Sequence, residues 1–232
     1  MMKYKLTKRP KSPKIIIGFP TIGLVSTIAT KFLLDHLDTE QIGYLESERM
    51  LPLTAIHKSK VVEPLTLYYN KKYNLVILQS LTEVAGLEWE VTESVLKLAK
   101  ELNTKEIIML EGIPTTQTQK LSLFFYSNKE KAKCVQAASP LKEGIIMGVT
   151  AAMLLKSNLP VTCFFSETHS ALPDSESAAH VVEALDEYLG LKLDFKPLLA
   201  QAKKFEDTLK QYLEKQKGTI DQKQKRELSY FG

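Results

Sequence analysis

The sequence is poor in the residues that build metal sites and disulfide scaffolds. Its 232 residues include only two cysteines, Cys134 and Cys163. Neither is accompanied by the paired Cys or His ligands of a zinc site, and two cysteines cannot form a disulfide framework. These absences predict a protein without a metal site in a reducing, cytoplasmic compartment.

Long apolar runs are also missing. A membrane-spanning helix needs about 20 consecutive apolar residues. The longest candidate, residues 145–155, is shorter and contains Gly148 and Thr150. The basic start of the chain is not followed by the apolar stretch of a secretory signal. The sequence therefore predicts neither a membrane-spanning segment nor a signal peptide.

Positive charge is concentrated at the start of the chain. The net charge at pH 7 is +4. Acids slightly outnumber bases in the rest of the chain, because the excess comes from Lys3, Lys5, Lys8, Arg9, Lys11 and Lys14. No pattern of interleaved aromatic residues supports nucleic-acid binding. We therefore interpret residues 1–13 as a solvated basic arm.

The first α/β unit lies in residues 14–34. Residues 15–17 are three consecutive isoleucines, which is typical of a strand buried on both faces. From Ile22 onwards, apolar residues recur at helical spacing, and Thr21 is placed to cap that helix. Together these segments predict the first half of a parallel βαβ unit.

The loop of this unit contains Gly18, Pro20 and Gly23. Pro20 stands where the dinucleotide-binding fingerprint needs a glycine, and no lysine follows Gly23 as a phosphate-binding loop requires. We therefore interpret these three residues as a structural turn that packs the helix on the sheet.

The rest of the chain alternates between strand and helix patterns. Strands are predicted at 41–46, 65–70, 73–80, 106–110, 121–126 and 161–166, and helices at 88–103, 144–157 and 177–189. Residues 47–63 are predicted to form a loop with an edge strand. This order predicts an α/β domain over 14–195, with a central, mostly parallel sheet flanked by helices. A C-terminal helix at 196–216 and a polar, flexible tail at 217–232 follow.

Three polar residues follow predicted strands, where sites of α/β proteins form. They are Glu83, Glu111 and His169. They leave open a phosphorylase- or hydrolase-like enzyme as an alternative. No Gly-x-Ser-x-Gly or His-Glu-x-x-His motif accompanies them. A binding protein without catalytic residues is therefore the favoured interpretation.

The chain ends on two aromatic residues and a glycine, Tyr230, Phe231 and Gly232, after a polar stretch. Aromatic side chains left in water at such a position have no benefit for the fold. Either the rings and the terminal carboxylate fill a partner's pocket that contains a lysine, or they fold back on the body of the protein.

Several segments resemble the proteasome-assembly-chaperone family in its archaeal form. They are Gly-Phe-Pro-Thr-Ile-Gly-Leu-Val at 18–25, Ser-Glu-Thr at 166–168, Leu-Pro-Asp-Ser-Glu-Ser-Ala-Ala at 172–179, and residues 107–114 and 144–155. Their order and spacing extend the resemblance over residues 14–205. The resemblance implies an α/β fold related to nucleoside phosphorylases, without enzymatic activity or a cofactor.

The resemblance also implies a partner. Some family members assist assembly of the proteasome core particle and bind its α-ring through a C-terminus of hydrophobic residue, tyrosine and any residue. Here Tyr230 takes the hydrophobic place, Phe231 replaces the tyrosine and Gly232 comes last. We expect an ATP-independent chaperone or activator of the core particle. The family, together with surplus apolar residues at 144–157 and near Trp89, implies a homo-oligomer, a tetramer.

Overall fold

A computed structural model of the chain describes residues 2–57, 59–115, 121–129, 135–168 and 172–193. Its helices are α1 (Val25–His36), α2 (Glu88–Glu101), α3 (Gly148–Lys156) and α4 (Ser175–Leu189). Its strands are β1 (Lys3–Leu6), β2 (Lys14–Gly18), β3 (Glu40–Glu46), β4 (Ala55–His57), β5 (Lys60–Val62), β6 (Leu65–Asn70), β7 (Leu75–Ser80), β8 (Glu106–Pro114), β9 (Leu123–Ser127), β10 (Ser139–Pro140) and β11 (Val161–Thr168).

A mixed sheet forms the centre of the described structure. Its strand order is β1-β3-β6-β7-β2-β8-β11-β9-β10. The four central strands β7, β2, β8 and β11 run parallel, whereas β1, β3 and β6 join antiparallel on one side and β9 does so on the other. The predicted α/β class is confirmed, with antiparallel additions flanking the parallel centre.

Helices cover both faces of this sheet. Helices α1 and α4 pack on one face, and α2 and α3 pack on the other. The three isoleucines of β2 are fully buried, with Ile15 and Ile17 on the α2 side and Ile16 on the α1 side. A strand covered on both faces needs no polar alternation, which explains the continuous apolar run.

The basic N-terminal segment is not a solvated arm, as its charge had suggested. Residues Lys3–Leu6 form β1, which pairs antiparallel with β3 at the edge of the sheet. Met2 is buried, and Ser94 Oγ donates a hydrogen bond to its carbonyl oxygen at 2.8 Å. Tyr4 and Leu6 pack against the core, while Lys3 and Lys5, which alternate with them, are exposed. Exposed lysines also protect an edge strand from unwanted pairing.

Two predicted helix starts were wrong. A single turn of 3-10 helix occupies Ile22–Leu24, so α1 begins only at Val25, and the Thr21 side chain does not cap it. Instead, Thr21 Oγ1 accepts a hydrogen bond from the Gly112 amide at 3.3 Å. Helix α3 begins at Gly148 rather than at residue 144, because Gly148 has a φ of +69°, outside the right-handed helical region.

The segment predicted as a loop with an edge strand is a separate hairpin. Strands β4 and β5 pair with each other and make a two-stranded sheet of their own, apart from the main sheet. Pro52 precedes β4, and Pro64 follows β5. Neither proline can donate a backbone hydrogen bond to a continuing strand.

A buried carboxylate ties three strands together at the amino end of the sheet. Glu106 accepts hydrogen bonds from Thr162 Oγ1 at 2.8 Å and from the Tyr188 hydroxyl, and Lys14 Nζ lies 2.9 Å from it. Burial tends to raise the pKa of Glu106, but the bonds from Tyr188, Lys14 and Thr162 outweigh it and hold the pKa below its usual value. Burial and the Glu106 bond raise the pKa of Tyr188 to about 12.

Among the residues described, no helix is both long enough and apolar enough to cross a membrane. The predicted C-terminal helix at 196–216 and the tail at 217–232 lie outside the described residues.

Candidate functional site

The loop after β2 is packed tightly against the carboxyl edge of the sheet. A Cβ atom at Gly18 would lie 2.7 Å from the Ser26 carbonyl oxygen. Gly23 has a φ of +68°, and a Cβ there would lie 2.7 Å from Thr168 Oγ1. Pro20 lies between them. Glycine at 18 and 23 thus allows the backbone to approach its neighbours closely, as the structural-turn interpretation requires.

Asp174 joins this loop to the end of β11 and the start of α4. Its carboxylate accepts hydrogen bonds from Thr168 Oγ1 at 2.7 Å and from the Ser177 amide at 2.9 Å, which caps the helix. Its own amide donates to the Gly23 carbonyl oxygen at 2.8 Å. Ser177 Oγ donates to the Glu167 carbonyl oxygen at 2.6 Å. The polar residues of these segments therefore form hydrogen bonds with one another and stabilise this part of the fold.

Glu111 is the described carboxyl group with the most perturbed environment. It lies near the end of the central strand β8, half-buried on the α3 side. Burial raises its pKa to about 7, against the opposing effect of a hydrogen bond donated by Thr150 Oγ1. The thiol of Cys163 is buried nearby, and burial together with the charge of Glu111 raises its pKa. A thiol in such a setting is protonated at neutral pH and is unreactive.

Of the three residues of the enzyme alternative, the structure describes Glu83 and Glu111, and these two do not share the cleft at Pro20. Glu83 is exposed and lines a cleft of about 470 Å³ next to Pro20, whereas Glu111 is not part of that lining. His169 lies outside the described residues. Within the described ranges, no group of three His, Cys, Asp or Glu side chains is placed to hold a metal ion.

Trp89 lies on the surface and not in the core. Its side chain is 49% exposed in the first turn of α2. Lys156 Nζ, at the end of α3, lies 5.2 Å from the centre of its ring and 2.5 Å from Glu93 Oε1. Leu155 in α3 and Met147 just before it are also exposed. The apolar surplus predicted around Trp89 and α3 is therefore at the surface, where a partner can contact it.

A second apolar surface lies on the β4–β5 hairpin and was not predicted from the sequence. Ile56 and Val61 are directly opposite each other in the hairpin, 69% and 62% exposed. The signal available in the sequence was the pair of β-branched residues on either side of a short polar turn, which is the pattern of a hairpin. The partner-binding residues predicted from the sequence, Tyr230, Phe231 and Gly232, lie outside the described residues.

Comparison with known proteins places the chain among characterised folds. The model of the PAC2 family matches residues 15–213. An uncharacterized protein of Methanocaldococcus jannaschii is 27% identical over 214 residues, covering 88% of this chain and 87% of its own.

Two solved structures of Pyrococcus furiosus are similar to it. PbaA, described as an archaeal homolog of proteasome-assembly chaperone, has a TM-score of 0.82 and 25% identity and covers 95% of this chain and 100% of its own. PbaB, described as an archaeal proteasome activator, shares the fold with a TM-score of 0.76 and 24% identity, over 91% of this chain and 98% of its own. These matches confirm the family resemblance found in the sequence. The chain belongs to the PAC2 family.

Proposed function

We propose that the protein binds the proteasome core particle and acts, without ATP, as its assembly chaperone or activator in the cytoplasm. The observation that carries the proposal is the family match over residues 15–213 together with the terminal sequence Tyr230-Phe231-Gly232. The similar proteins PbaA and PbaB, described as a chaperone homolog and a proteasome activator, support it.

The C-terminal tail is the part that we expect to contact the core particle. Tyr230 and Phe231 insert into pockets between adjacent α-subunits, and the carboxylate of Gly232 pairs with a pocket lysine. Burying one such ring contributes roughly 1.5–3 kcal/mol. Ordering a long tether opposes that gain, so a single tail binds with modest affinity.

Self-association compensates for the modest affinity of a single tail. In a homo-tetramer, several tails engage one α-ring together, and the second contact is then intramolecular. The exposed apolar surfaces at Trp89 and at the β4–β5 hairpin support association between copies, because a soluble monomer rarely leaves such side chains grouped in water.

Catalysis is less well supported than binding. Glu111, whose pKa burial raises, accepts a hydrogen bond from the hydroxyl of Thr150. The Thr150 residue is fully buried, so its hydroxyl cannot reach a substrate without opening the structure. A phosphorylase- or hydrolase-like reaction at Glu83, Glu111 and His169 is therefore not the function that we propose.

The test is binding of the full chain to immobilised core particles. Deleting Tyr230, Phe231 and Gly232 should abolish binding while leaving the fold intact. One residue added after Gly232 should weaken binding nearly as much, because it displaces the carboxylate. Phe231→Tyr should bind as well or better, since it supplies the hydroxyl found at this place in the family.

Ser229→Ala is the matched control, because it changes a neighbouring side chain and leaves the last three residues in place. It should bind like the unaltered protein. Undiminished binding by the three-residue deletion would refute the role of the tail.

A further inference from the structure

Helix α2 presents to solvent a side that is aromatic at its start and basic at its end. The exposed residues recur at intervals of three and four, so they lie on one side of the helix: Trp89, Glu93, Lys97 and Lys100. Glu93 is paired with Lys156 of α3. Lys97 and Lys100 have no ion pair among the described side chains. The second half of α2 therefore exposes two positive charges without a carboxylate in contact with them.

Two negative charges without an ion pair lie in the segments that flank the β4–β5 hairpin. Glu48 and Glu63 border a groove of about 610 Å³, to which Leu51 and Leu53 contribute exposed side chains. Neither glutamate forms an ion pair with a described side chain. This region is therefore apolar with an acidic border, the opposite sign to the end of α2.

The acidic region and the exposed side of α2 form one continuous surface. Arg49, in the loop after β3, is paired with Glu90 in the first turn of α2. Leu51 borders a cleft together with the residue that precedes this helix. Lys100 lies roughly 15 Å further along the helix than Glu90. The surface therefore has a negative end in the loop after β3, an apolar middle at Trp89 and a positive end on α2.

We propose that this surface joins two copies of the chain in solution. A two-fold axis near Trp89 places the negative end of one copy against the positive end of the other, and the same contact forms twice, as a closed dimer requires. Glu48 and Glu63 of each copy then face the two lysines of the other, Lys97 and Lys100. Because two acids meet two bases in each contact, the surface is complementary to itself in charge. The apolar side chains in the middle are buried near the axis.

The charges favour a second copy over the chain's own C-terminal tail as the occupant of this surface. Bases outnumber acids in residues 217–232. The tail would therefore complement the glutamates of the surface but would meet Lys97 and Lys100 with charge of the same sign. A second copy complements both ends and covers Trp89 as well. The inference rests on the self-association in the proposed function and assigns its surface.

The first test measures the mass of the full chain by light scattering at micromolar concentration. Lys97→Glu combined with Lys100→Glu should halve the oligomer mass or reduce it to the 26.2 kDa of one chain. Like charges then meet in both contacts, which should raise the dissociation constant at least about 100-fold. Lys71→Glu with Lys72→Glu is the matched control, because it makes the same change of charge in the turn between β6 and β7, beside the end of α1. The control should keep the full mass.

A charge exchange tests the pairing itself. Glu48→Lys combined with Glu63→Lys should also dissociate the oligomer, because lysines then face lysines. A mixture of this variant with the α2 variant should regain association between unlike copies, and a chain that carries all four substitutions should associate with itself, since opposite charges again meet in both contacts. Circular dichroism and thermal unfolding check that every variant is folded. If Glu63→Lys prevents folding, Glu48→Lys alone provides the same exchange.

The outcomes separate this inference from the proposed function. An oligomer that keeps its mass in both charge variants, or variants that dissociate without recovery in the mixture and in the fourfold exchange, overturn the surface alone. An oligomer that dissociates when residues 217–232 are removed identifies the tail as the occupant and also overturns the inference. A single-chain mass for the unaltered protein overturns both the self-association and its surface. An unaltered oligomer that responds to the charge variants as expected but does not bind core particles refutes the proposed function and leaves the surface standing.

Discussion

Replacing Glu111 with glutamine should change how the stability of the protein depends on pH. Burial raises the pKa of Glu111 to about 7 from its ordinary value of 4.5. The native state therefore holds this proton more tightly than the unfolded state does. The stability that Glu111 supports is fully present below pH 4.5 and is lost as the pH rises through 7. Glutamine resembles the protonated acid and still accepts the bond from Thr150.

The size of the effect follows from the pKa. A change from 4.5 to about 7 corresponds to about 3 kcal/mol of folding free energy above pH 7. Glu111→Gln should therefore match the unaltered protein at pH 4.5 and exceed it by about 3 kcal/mol at pH 8.5. For a domain of this size, that gain raises the melting temperature by about 6–12 °C.

The assay is urea unfolding of both proteins between pH 4.5 and 8.5, with circular dichroism as the signal for unfolding. Glu83→Gln is the control, because it removes an exposed glutamate from the same edge of the sheet, and it should give no gain at pH 8.5. A stability difference between Glu111→Gln and the unaltered protein that stays constant across this range would refute the burial argument.

Two further substitutions test the packing of the fold. Gly112→Ala should lower the free energy of unfolding by about 1–3 kcal/mol or more, because a Cβ there would lie 2.2 Å from the Ile22 carbonyl oxygen. Gly144→Ala, whose added Cβ meets only Leu141 at 3.7 Å, should cost far less, and equal losses in urea unfolding would contradict the argument. Tyr188→Phe should cost about 1.5–3 kcal/mol, since it removes a donor from the buried carboxylate of Glu106. Full stability of that variant in the same assay would show that the bond contributes nothing.

The elements that the sequence predicted well are those with strong local patterns. The isoleucines of β2 and the helical spacing of α2 each determine one structure without help from distant residues. Strand β1 was missed because its lysines dominate the charge of the segment, while its alternation extends over only four residues. The start of α3 was misplaced because the helix is prevented from extending towards residue 144 only by the positive φ of Gly148, which the sequence does not reveal.

The candidate sites also differ in how far local sequence patterns predict them. The tight loop at Gly18 and Gly23 was foreseeable, since glycine beside proline marks a turn. The raised pKa of Glu111 was not, because it depends on burial by α3, a helix distant in sequence. The hairpin face was missed because pairing Ile56 with Val61 requires the register, which a short polar segment does not reveal.

Photo-crosslinking shows whether the proposed contact of the tail with the pockets of the proteasome α-ring forms. Phe231 is replaced by a photoreactive phenylalanine analogue, and the full chain is irradiated with core particles. The same analogue at Tyr126, an exposed ring on β9, is the control. We expect crosslinks from position 231 to α-subunits, and none from position 126. Crosslinks from position 231 only to this protein's own body, or to no partner at all, would contradict it.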